Sequence, residues 1–386
     1  MFEGRWEAGF RHIRTSRRTI LATALVASIL PGSIRAQDDA AGDPPWMILA
    51  GNDSGPLGRW GHALIVDPVR SRLLLIGGRD AGGTVKGDLW SFDLAGLAWS
   101  GVDLSGPRAR AGSATAASAD GTGCYYFGGE SDDAVFADLW WFDFATATWQ
   151  ELTPRSGDAP ASRSGVAGAM DALGRFVISH GHDGDTIYDD TWAYDPGAKT
   201  WADISPAPEL RPMARYDHDL LALPDYSAIL LGGGCSDGIG SCPQGDLWSF
   251  DVYGGGWSDI TPFTAPTPRT GSAMARLGGT ILQVGGMTDL GPESDVWRGY
   301  FDGGTVGWQE LTLVNHGPMG IDRRWRHAMA AAGAEYFVFG GDGVEGALSD
   351  LWQFSLDRFT ESEHTVDPNS EFDDSGEYDD SDDFSE

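Results

Sequence analysis

The sequence repeats one pattern six times, and this repetition restricts the possible folds more than any other feature. A short apolar run ends in a glycine pair, and successive pairs are 51 to 55 residues apart. The pairs are Gly77-Gly78, Gly128-Gly129, His180-Gly181 (with histidine for the first glycine), Gly232-Gly233, Gly285-Gly286 and Gly340-Gly341. Runs such as Leu73–Ile76 and Tyr336–Phe339 are typical of buried strands. A period of about 50 residues indicates a repeat architecture built from small sheets.

Two tryptophans recur inside each repeat. The first belongs to an Asp-x-Trp motif, at Trp90, Trp140, Trp192, Trp248, Trp297 and Trp352. The second closes the repeat, at Trp99, Trp149, Trp201, Trp257 and Trp308. We expect both sets to pack between neighbouring sheets, where truncation to alanine would cost about 3–5 kcal/mol. The motif aspartates are expected to bond loop backbone and are not assigned as metal ligands.

The sixth repeat lacks its second tryptophan, because Glu361 occupies that place. The missing piece lies at the opposite end of the chain, where Trp46 precedes Arg59 as Trp149 precedes Arg163. We therefore expect an all-β fold, a six-bladed β-propeller of four-stranded blades in which an N-terminal strand completes the last blade and closes the ring. Such closure leaves no exposed sheet edge.

These motifs resemble the kelch repeat family. The matching elements are the arginine that opens each repeat, the apolar run with its glycine pair, the aromatic strand ending in aspartate (Trp90-Ser91-Phe92-Asp93 in the first repeat) and the closing tryptophan. The resemblance covers about residues 46–360 and implies a kelch propeller that binds its ligand or partner on one face. Propellers host many activities, so the fold does not identify the ligand.

One face of the predicted propeller carries the candidate binding site. In an up-and-down blade, the loops before the first strand and after the second strand lie on the same side. Six arginines at that mouth are predicted to form a positive collar, with aromatic and basic neighbours: Arg59, Arg110, Arg163, Arg215, Arg269, Arg324, Trp60, His62, Tyr216, His218, Trp325, Arg326 and His327. Such groups suit a carboxylate-bearing ligand. The alternative is that each arginine bonds backbone or an aspartate of its own blade and fixes the ring.

We expect a binding module rather than an enzyme, with a protein or an anionic ligand as partner, no cofactor and a monomeric state. The sequence contains no His-Glu-x-x-His motif and no Gly-x-x-x-x-Gly-Lys phosphate loop. The enzymatic alternative, suggested by resemblance alone, is a periplasmic sialic-acid mutarotase, a carbohydrate-active enzyme. In it the arginines would hold the sugar carboxylate and a histidine would transfer protons. His180 and His182 are weak candidates for a metal, because the spacing fixes no third ligand.

Residues 1–36 have the pattern of an export signal. A basic region of Arg11, Arg14, Arg17 and Arg18 precedes the apolar run Thr19–Leu30, which at twelve residues is too short to span a bilayer as a helix. Ser16–Leu21 also resembles a twin-arginine signal, and a retained signal-anchor is the alternative. We therefore expect a secreted or periplasmic protein without membrane insertion after signal cleavage.

The charge distribution excludes one class of partner and defines the flanking segments. The formal net charge is −31, which argues against nucleic acid because that affinity comes largely from neutralising phosphates. Residues 37–45 are expected to form a linker. Residues 361–386 hold twelve acidic residues and no lysine or arginine, so we expect a disordered acidic tail.

The three cysteines fit export. Cys235 and Cys242 lie close together in a loop rich in glycine and serine, and they can pair in an oxidising compartment. Cys124 begins an apolar strand and is expected to be a buried free thiol.

Overall fold

The computed structural model describes residues 44–51, 55–102, 105–236, 242–311 and 320–359. The predicted signal and acidic tail, and nearly all of the predicted linker, lie outside the described residues. Within those ranges, no helix has the length and apolar character needed to cross a membrane.

The described ranges contain six four-stranded antiparallel sheets, numbered here one to six in the order of their first strands. Sheets one to three are built from Ala63–Asp67, Arg72–Ile76, Leu89–Asp93 and Ala98–Val102; Ala114–Ala117, Gly123–Phe127, Leu139–Asp143 and Thr148–Glu151; Ala167–Met170, Phe176–Ser179, Thr191–Asp195 and Thr200–Asp203. Sheets four to six are built from Asp219–Leu223, Ala228–Gly232, Leu247–Asp251 and Gly256–Asp259; Ala273–Leu277, Thr280–Thr288, Gly291–Phe301 and Val306–Glu310; Ala328–Ala332, Glu335–Phe339, Leu351–Ser355 and Trp46–Ala50. The predicted all-β fold of four-stranded antiparallel sheets is confirmed.

In sheets one to five, strands that follow one another in the chain are neighbours in the sheet. In sheets one, two and six the glycine pair follows the second strand, and both glycines adopt a left-handed backbone, as at Gly77 (φ 64°) and Gly78 (φ 96°). In sheet five the second strand continues through Gly285 and Gly286 to Thr288. In the fourth repeat the left-handed residues are Gly233 and Gly234, whereas Gly232 belongs to the strand. The predicted pair Gly232-Gly233 was therefore one residue out of register.

The two ends of the described chain meet in sheet six. Its fourth strand is Trp46–Ala50, which pairs with Leu351–Ser355 so that Trp46 lies opposite Phe354. The Trp46 side chain is buried, and its ring centroid is 4.8 Å from that of Phe354. The tryptophan that the sixth repeat lacks is thus supplied from the N-terminal side.

The hydrophobic core is divided into six clusters, each between two successive sheets. Second strands bury both of their faces: Leu73 and Leu75 pack towards sheet six, while Leu74 and Ile76 pack towards sheet two. The first strand of each sheet also contacts that of the next, and the first strand of sheet six contacts that of sheet one. Closing tryptophans bridge sheets as predicted, for example Trp99, whose ring centroid lies 5.3 Å from that of Phe339.

One side of the sheets carries paired loops, which we call the loop face: the loops before the first strand and after the second strand of each sheet. Short ladders join these loops, formed by Arg59–Trp60 with Arg79–Asp80, and by Arg324–Trp325, Asp342–Gly343 and Gly346–Ala347. Isolated bridges do the same in the other four sheets. Two single-turn 3-10 helices, Pro208–Leu210 and Pro224–Tyr226, complete the elements.

The cysteines are arranged as the sequence predicts. A disulfide joins Cys235 to Cys242 in the loop after the second strand of sheet four. Cys124 is a buried free thiol, and burial raises its pKa.

Candidate functional site

The six arginines that open the repeats are enclosed in the protein. Each has an exposed fraction of 2% or less. Each makes the same contacts. Nε donates to the carbonyl two residues earlier in the chain. Nη1 donates to the carbonyl of the first left-handed residue after the apolar run of the second strand. Both terminal nitrogens donate to one aspartate of the same sheet.

Those aspartates are the ones of the Asp-x-Trp motifs. In sheet six, Nη1 and Nη2 of Arg324 each lie 2.9 Å from an Asp350 carboxylate oxygen, and Oδ2 also accepts a 2.6 Å hydrogen bond from the Trp352 indole. The same triad recurs with Asp88, Asp138, Asp190, Asp246 and Asp295. The expectation that these aspartates bond loop backbone is therefore wrong: they join the arginine to the tryptophan of their own sheet.

The pairing neutralises the arginines. Burial raises the pKa of the aspartates, but the arginine hydrogen bonds and charge outweigh it, so the pKa of Asp88, Asp138, Asp190, Asp246 and Asp350 is lowered and each carboxylate is ionised. An exposed positive collar of Arg59, Arg110, Arg163, Arg215, Arg269 and Arg324 does not form, because each guanidinium is covered and matched by a carboxylate. The alternative considered from the sequence, an arginine bonded within its own blade, is the arrangement present.

Three predicted site histidines also lie inside. His62, His218 and His327 are each more than nine-tenths buried. Burial, reinforced by a neighbouring arginine, lowers the pKa of His62 and His218 to about 3 and that of His327 well below its usual value. The rings fill space between successive sheets, as where His62 lies 5.2 Å from Phe339. Their ligand-binding role stays a prediction, and His62 and His218 line a small cavity beside the turns after the repeat arginines.

The remaining predicted residues are half-buried on the loop face. The guanidinium of Arg326 lies over two indole rings, 4.2 Å from the centroid of Trp325 and 5.0 Å from that of Trp60. Tyr216 packs against His182, with centroids 4.7 Å apart in an edge-to-face arrangement. These four aromatic rings therefore lie where a partner can reach them.

A set of turns links the sheets at the base of the loop face, and we call its six residues the turn set. Each stands two residues after a repeat arginine and has φ between 51° and 70°: Gly61, Gly112, Gly165, Asp217, Gly271 and Arg326. Backbone hydrogen bonds run between neighbouring members, including one from Gly61 to the carbonyl of Arg326. The two members that are not glycine bond each other, because Arg326 and Asp217 form an ion pair of 2.6 Å.

Replacing Asp217 and Arg326 together by glycine is expected to change the free energy of unfolding by no more than about 1 kcal/mol. The double variant relieves two left-handed non-glycine residues, at about 1–2 kcal/mol each. It loses a partly exposed ion pair worth about 0–1 kcal/mol. Each new glycine also lowers stability by about 0.5–1 kcal/mol, because glycine makes the unfolded chain more flexible. Urea denaturation measures the difference, and a loss above about 3 kcal/mol would show that the pair holds the fold.

The loop face contains a groove of about 970 Å³. Its walls are the loop after the second strand of sheet three (residues 180–190) and the loop before the first strand of sheet four (residues 204–218). Its lining includes the apolar side chains of Ile187, Pro212 and Met213 and the aromatic pair His182–Tyr216, together with polar side chains. We call this concavity the groove. Its volume matches the range of ligand-binding sites in proteins.

The basic groups of the groove are already paired. Nε of Arg211 lies 3.1 Å from the Asp189 carboxylate, and Arg326 is held by Asp217. Two further acidic residues, Glu130 and Asp185, line the same groove. Three of the charged residues that line the groove are therefore acidic, and two are basic.

His180 and His182, the weak candidates for a metal, lie in different surroundings. Nδ1 of His180 is 2.5 Å from Ser179 Oγ, and its buried ring lies 5.3 Å from that of His218. His182 instead packs on Tyr216 in the groove. In the part of the chain that the structure describes, no cluster of three or more His, Cys, Asp or Glu residues is arranged to hold a metal ion.

Sequence reasoning missed the groove residues Arg211 and Met213, and it named Arg326 without its partner Asp217. That pair had a usable signal, since aspartate and arginine replace glycine at one fixed place after the repeat arginine. A second such signal is Asp219, which replaces the alanine found two places further on in the other five repeats. Burial raises the pKa of Asp219 to about 6 despite its hydrogen bond from Ser272.

Comparison with known proteins places these features among kelch repeats. Residues 43–234 match the family model described as KLHDC2/KLHL20/DRC7 Kelch-repeats domain. The chain is 29% identical over 44% of its length to acyl-CoA-binding domain-containing protein 5 of Arabidopsis thaliana, and 25% identical over 74% to multiple epidermal growth factor-like domains protein 8 of Rattus norvegicus. It is 23% identical over 66% to kelch domain-containing protein 10 of Xenopus laevis. It spans 26%, 11% and 64% of these relatives, less than two thirds of each.

Proposed function

This chain is a member of the kelch repeat family, and from that membership we propose that it is an interaction module whose loop face binds a partner protein. The observation that carries the proposal is the groove of about 970 Å³ between the loops of sheets three and four. Its exposed Met213 and its aromatic pair offer the apolar contact, and its charged rim offers the polar contact, that protein interfaces combine.

The six sheets are proposed to be the blades of one closed propeller. Three observations support this arrangement: the six inter-sheet clusters, the contact between the first strands of sheets six and one, and the hydrogen bond from Gly61 to Arg326 in the turn set. Closure of this kind makes a rigid platform, so the loops that form the groove are held in place before a partner arrives. Preorganisation lowers the entropic cost of binding.

The mutarotase alternative finds no support in the geometry. It required free arginines for a sugar carboxylate and a histidine that exchanges protons near neutral pH. The six arginines are bound to aspartates, and the pKa of His62 and His218 is lowered to about 3. The same arginines are not available to an anionic ligand, because they are bonded to aspartates. We therefore propose a partner protein as the occupant.

We further propose that the protein is exported and acts as a monomer outside the cytoplasm. The Cys235–Cys242 disulfide supports this location, because disulfides persist in oxidising compartments. In this proposal residues 1–36 are the export signal, residues 46–360 the propeller and residues 361–386 an acidic tail.

Filling the groove is expected to abolish partner binding without unfolding the protein. Peptides selected from a random display library on the full-length chain should bind the wild type and bind Ala214→Trp at least tenfold more weakly, because Ala214 lines the groove. The matched control is Ala145→Trp, on an exposed turn between the third and fourth strands of sheet two. Equal affinities of the two variants for every selected peptide would place binding elsewhere, and unchanged melting curves check the fold.

A further inference from the structure

We propose that the groove recognises a basic, extended segment of the partner protein, whose arginine or lysine side chains meet acidic groups on its walls. This inference rests on the proposed function and adds the chemistry of the partner. It reverses the sign of charge that the repeat arginines suggest when they are considered from the sequence alone.

The positive charges near the groove are internally compensated. The repeat arginines are matched one to one by motif aspartates. Arg211 and Arg326, the two basic residues on the groove walls, are held by Asp189 and Asp217 at 3.1 Å and 2.6 Å. An anionic segment would have to displace a carboxylate at each of them, so it would exchange one ion pair for another with little gain.

Two acidic groups of the groove are less fully compensated, because within the described residues one has no ion-pair partner and the other shares its partner. Asp185 is exposed, and in the described ranges its carboxylate has no ion-pair partner. The basic group nearest to Glu130 is Arg79 at 4.0 Å, and Arg79 lies 2.6 Å from Asp132. The groove therefore retains uncompensated negative charge, and the chain as a whole carries a formal net charge of −31. Such a field attracts cationic segments and accelerates their association.

The walls suit the side chains that carry those cations. Met213 is 44% exposed and Ile187 lies beside it in the groove, so both can cover the methylene stems of lysine or arginine. The aromatic rings of Tyr216 and His182 also line the groove, and aromatic rings attract guanidinium and ammonium groups. A groove lined by both acidic and apolar side chains favours a basic segment over an acidic or purely apolar one.

The test uses the full-length chain and two fluorescein-labelled decapeptides, one alternating Arg with Ser and the other alternating Glu with Ser. Fluorescence anisotropy should detect binding of the Arg-Ser peptide, weakening as NaCl rises from 50 to 300 mM, and none of the Glu-Ser peptide. Glu130→Gln/Asp185→Asn is expected to weaken Arg-Ser binding at least tenfold. The control Glu151→Gln/Glu310→Gln removes the same charge from exposed positions on outer strands, and should weaken binding less than twofold.

Three results would overturn the inference. If the two double variants weaken Arg-Ser binding equally, the peptide is attracted by the overall negative charge of the protein and not by the groove. The acidic segment 361–386 contributes to that overall charge in both variants. Tighter binding of the Glu-Ser peptide would mean an anion site. Arg-Ser binding that appears only after removal of the arginine-rich residues 1–36 would make this chain's own segment the occupant. If Ala214→Trp abolishes binding of selected peptides while Glu130→Gln/Asp185→Asn leaves it unchanged, the basic-segment inference fails and the proposed function stands.

Discussion

Replacing Arg324 by methionine is expected to lower the free energy of unfolding by about 3–5 kcal/mol, because it strands the Asp350 carboxylate, whose side chain is only 10% exposed. Methionine preserves most of the side-chain volume, so the loss reports the missing charge and hydrogen bonds. Urea denaturation followed by tryptophan fluorescence measures it, and binding of groove peptides to the folded variant should persist. That combination of results would assign Arg324 to stability rather than to recognition.

Arg108→Met is the matched control for this experiment. Arg108 also bonds an aspartate through its guanidinium, with both oxygens of Asp133 within 3.0 Å, but both side chains are more than half exposed. Its loss should cost less than about 1 kcal/mol. Arg324→Met/Asp350→Leu, which removes both buried partners, should be less destabilising than the sum of its single variants. A wild-type urea midpoint for Arg324→Met would contradict the structural role of the pair.

Acidification from pH 7.5 to pH 5 is expected to destabilise the protein by several kcal/mol. The pKa of His62 and of His218 is lowered to about 3 by burial, and the pKa of His180 and of His327 is also well below normal. The unfolded chain binds protons on these residues below about pH 6.5 while the folded protein does not, so stability falls with pH. At pH 5 each histidine accounts for about 2 kcal/mol.

Other charged groups also affect how stability changes with pH. Arg59, Arg215 and Arg324 oppose histidine protonation in the folded state. Asp219 acts oppositely to the histidines: its pKa is raised to about 6, so proton uptake favours the folded state as pH falls and offsets about 1 kcal/mol at pH 5. The sum remains dominated by the histidines.

A natural control exists within the repeats, because Val166 occupies in sheet three the place that His218 occupies in sheet four. His218→Val should reduce the loss of stability between pH 7.5 and pH 5 by about 2 kcal/mol, and the reciprocal Val166→His should increase it by a similar amount. Urea midpoints across this pH range measure both. An unchanged pH dependence in His218→Val would mean that this histidine exchanges protons in the folded protein.

The sheets were predictable because each carries its own local signals. The buried run Leu73–Ile76, its glycine pair and the following Asp-x-Trp motif define strands whose partners lie a hairpin away. The pairing of Trp46 with the last repeat followed from a single missing tryptophan. The three consecutive glycines Gly232, Gly233 and Gly234 misled, since the sequence does not show which of them adopts the left-handed backbone. The pair Gly285-Gly286 also misled, because the strand continues through it.

The site was less predictable because the sequence does not record whether a recurrent polar residue faces outward or inward. Arg324 and Asp350 are 26 residues apart, and nothing local to either shows that they meet. Both explanations of a recurrent arginine, ligand capture and ring assembly, predict the same repetition. The groove combines loops of sheets three and four with Arg326 of sheet six, so it exists only after the sheets are assembled.

The position of strand Trp46–Ala50 also determines when folding can be completed during synthesis. Sheets one to five join strands that emerge one after another, so each can form soon after its last strand is synthesised. Sheet six pairs Trp46 with Phe354, so its fourth strand waits through about 300 residues of synthesis for its neighbour, and closing so long a loop is slow. Until then the early sheets have an uncovered flank, and the interval between first strand and last is when the nascent chain most needs protection from aggregation.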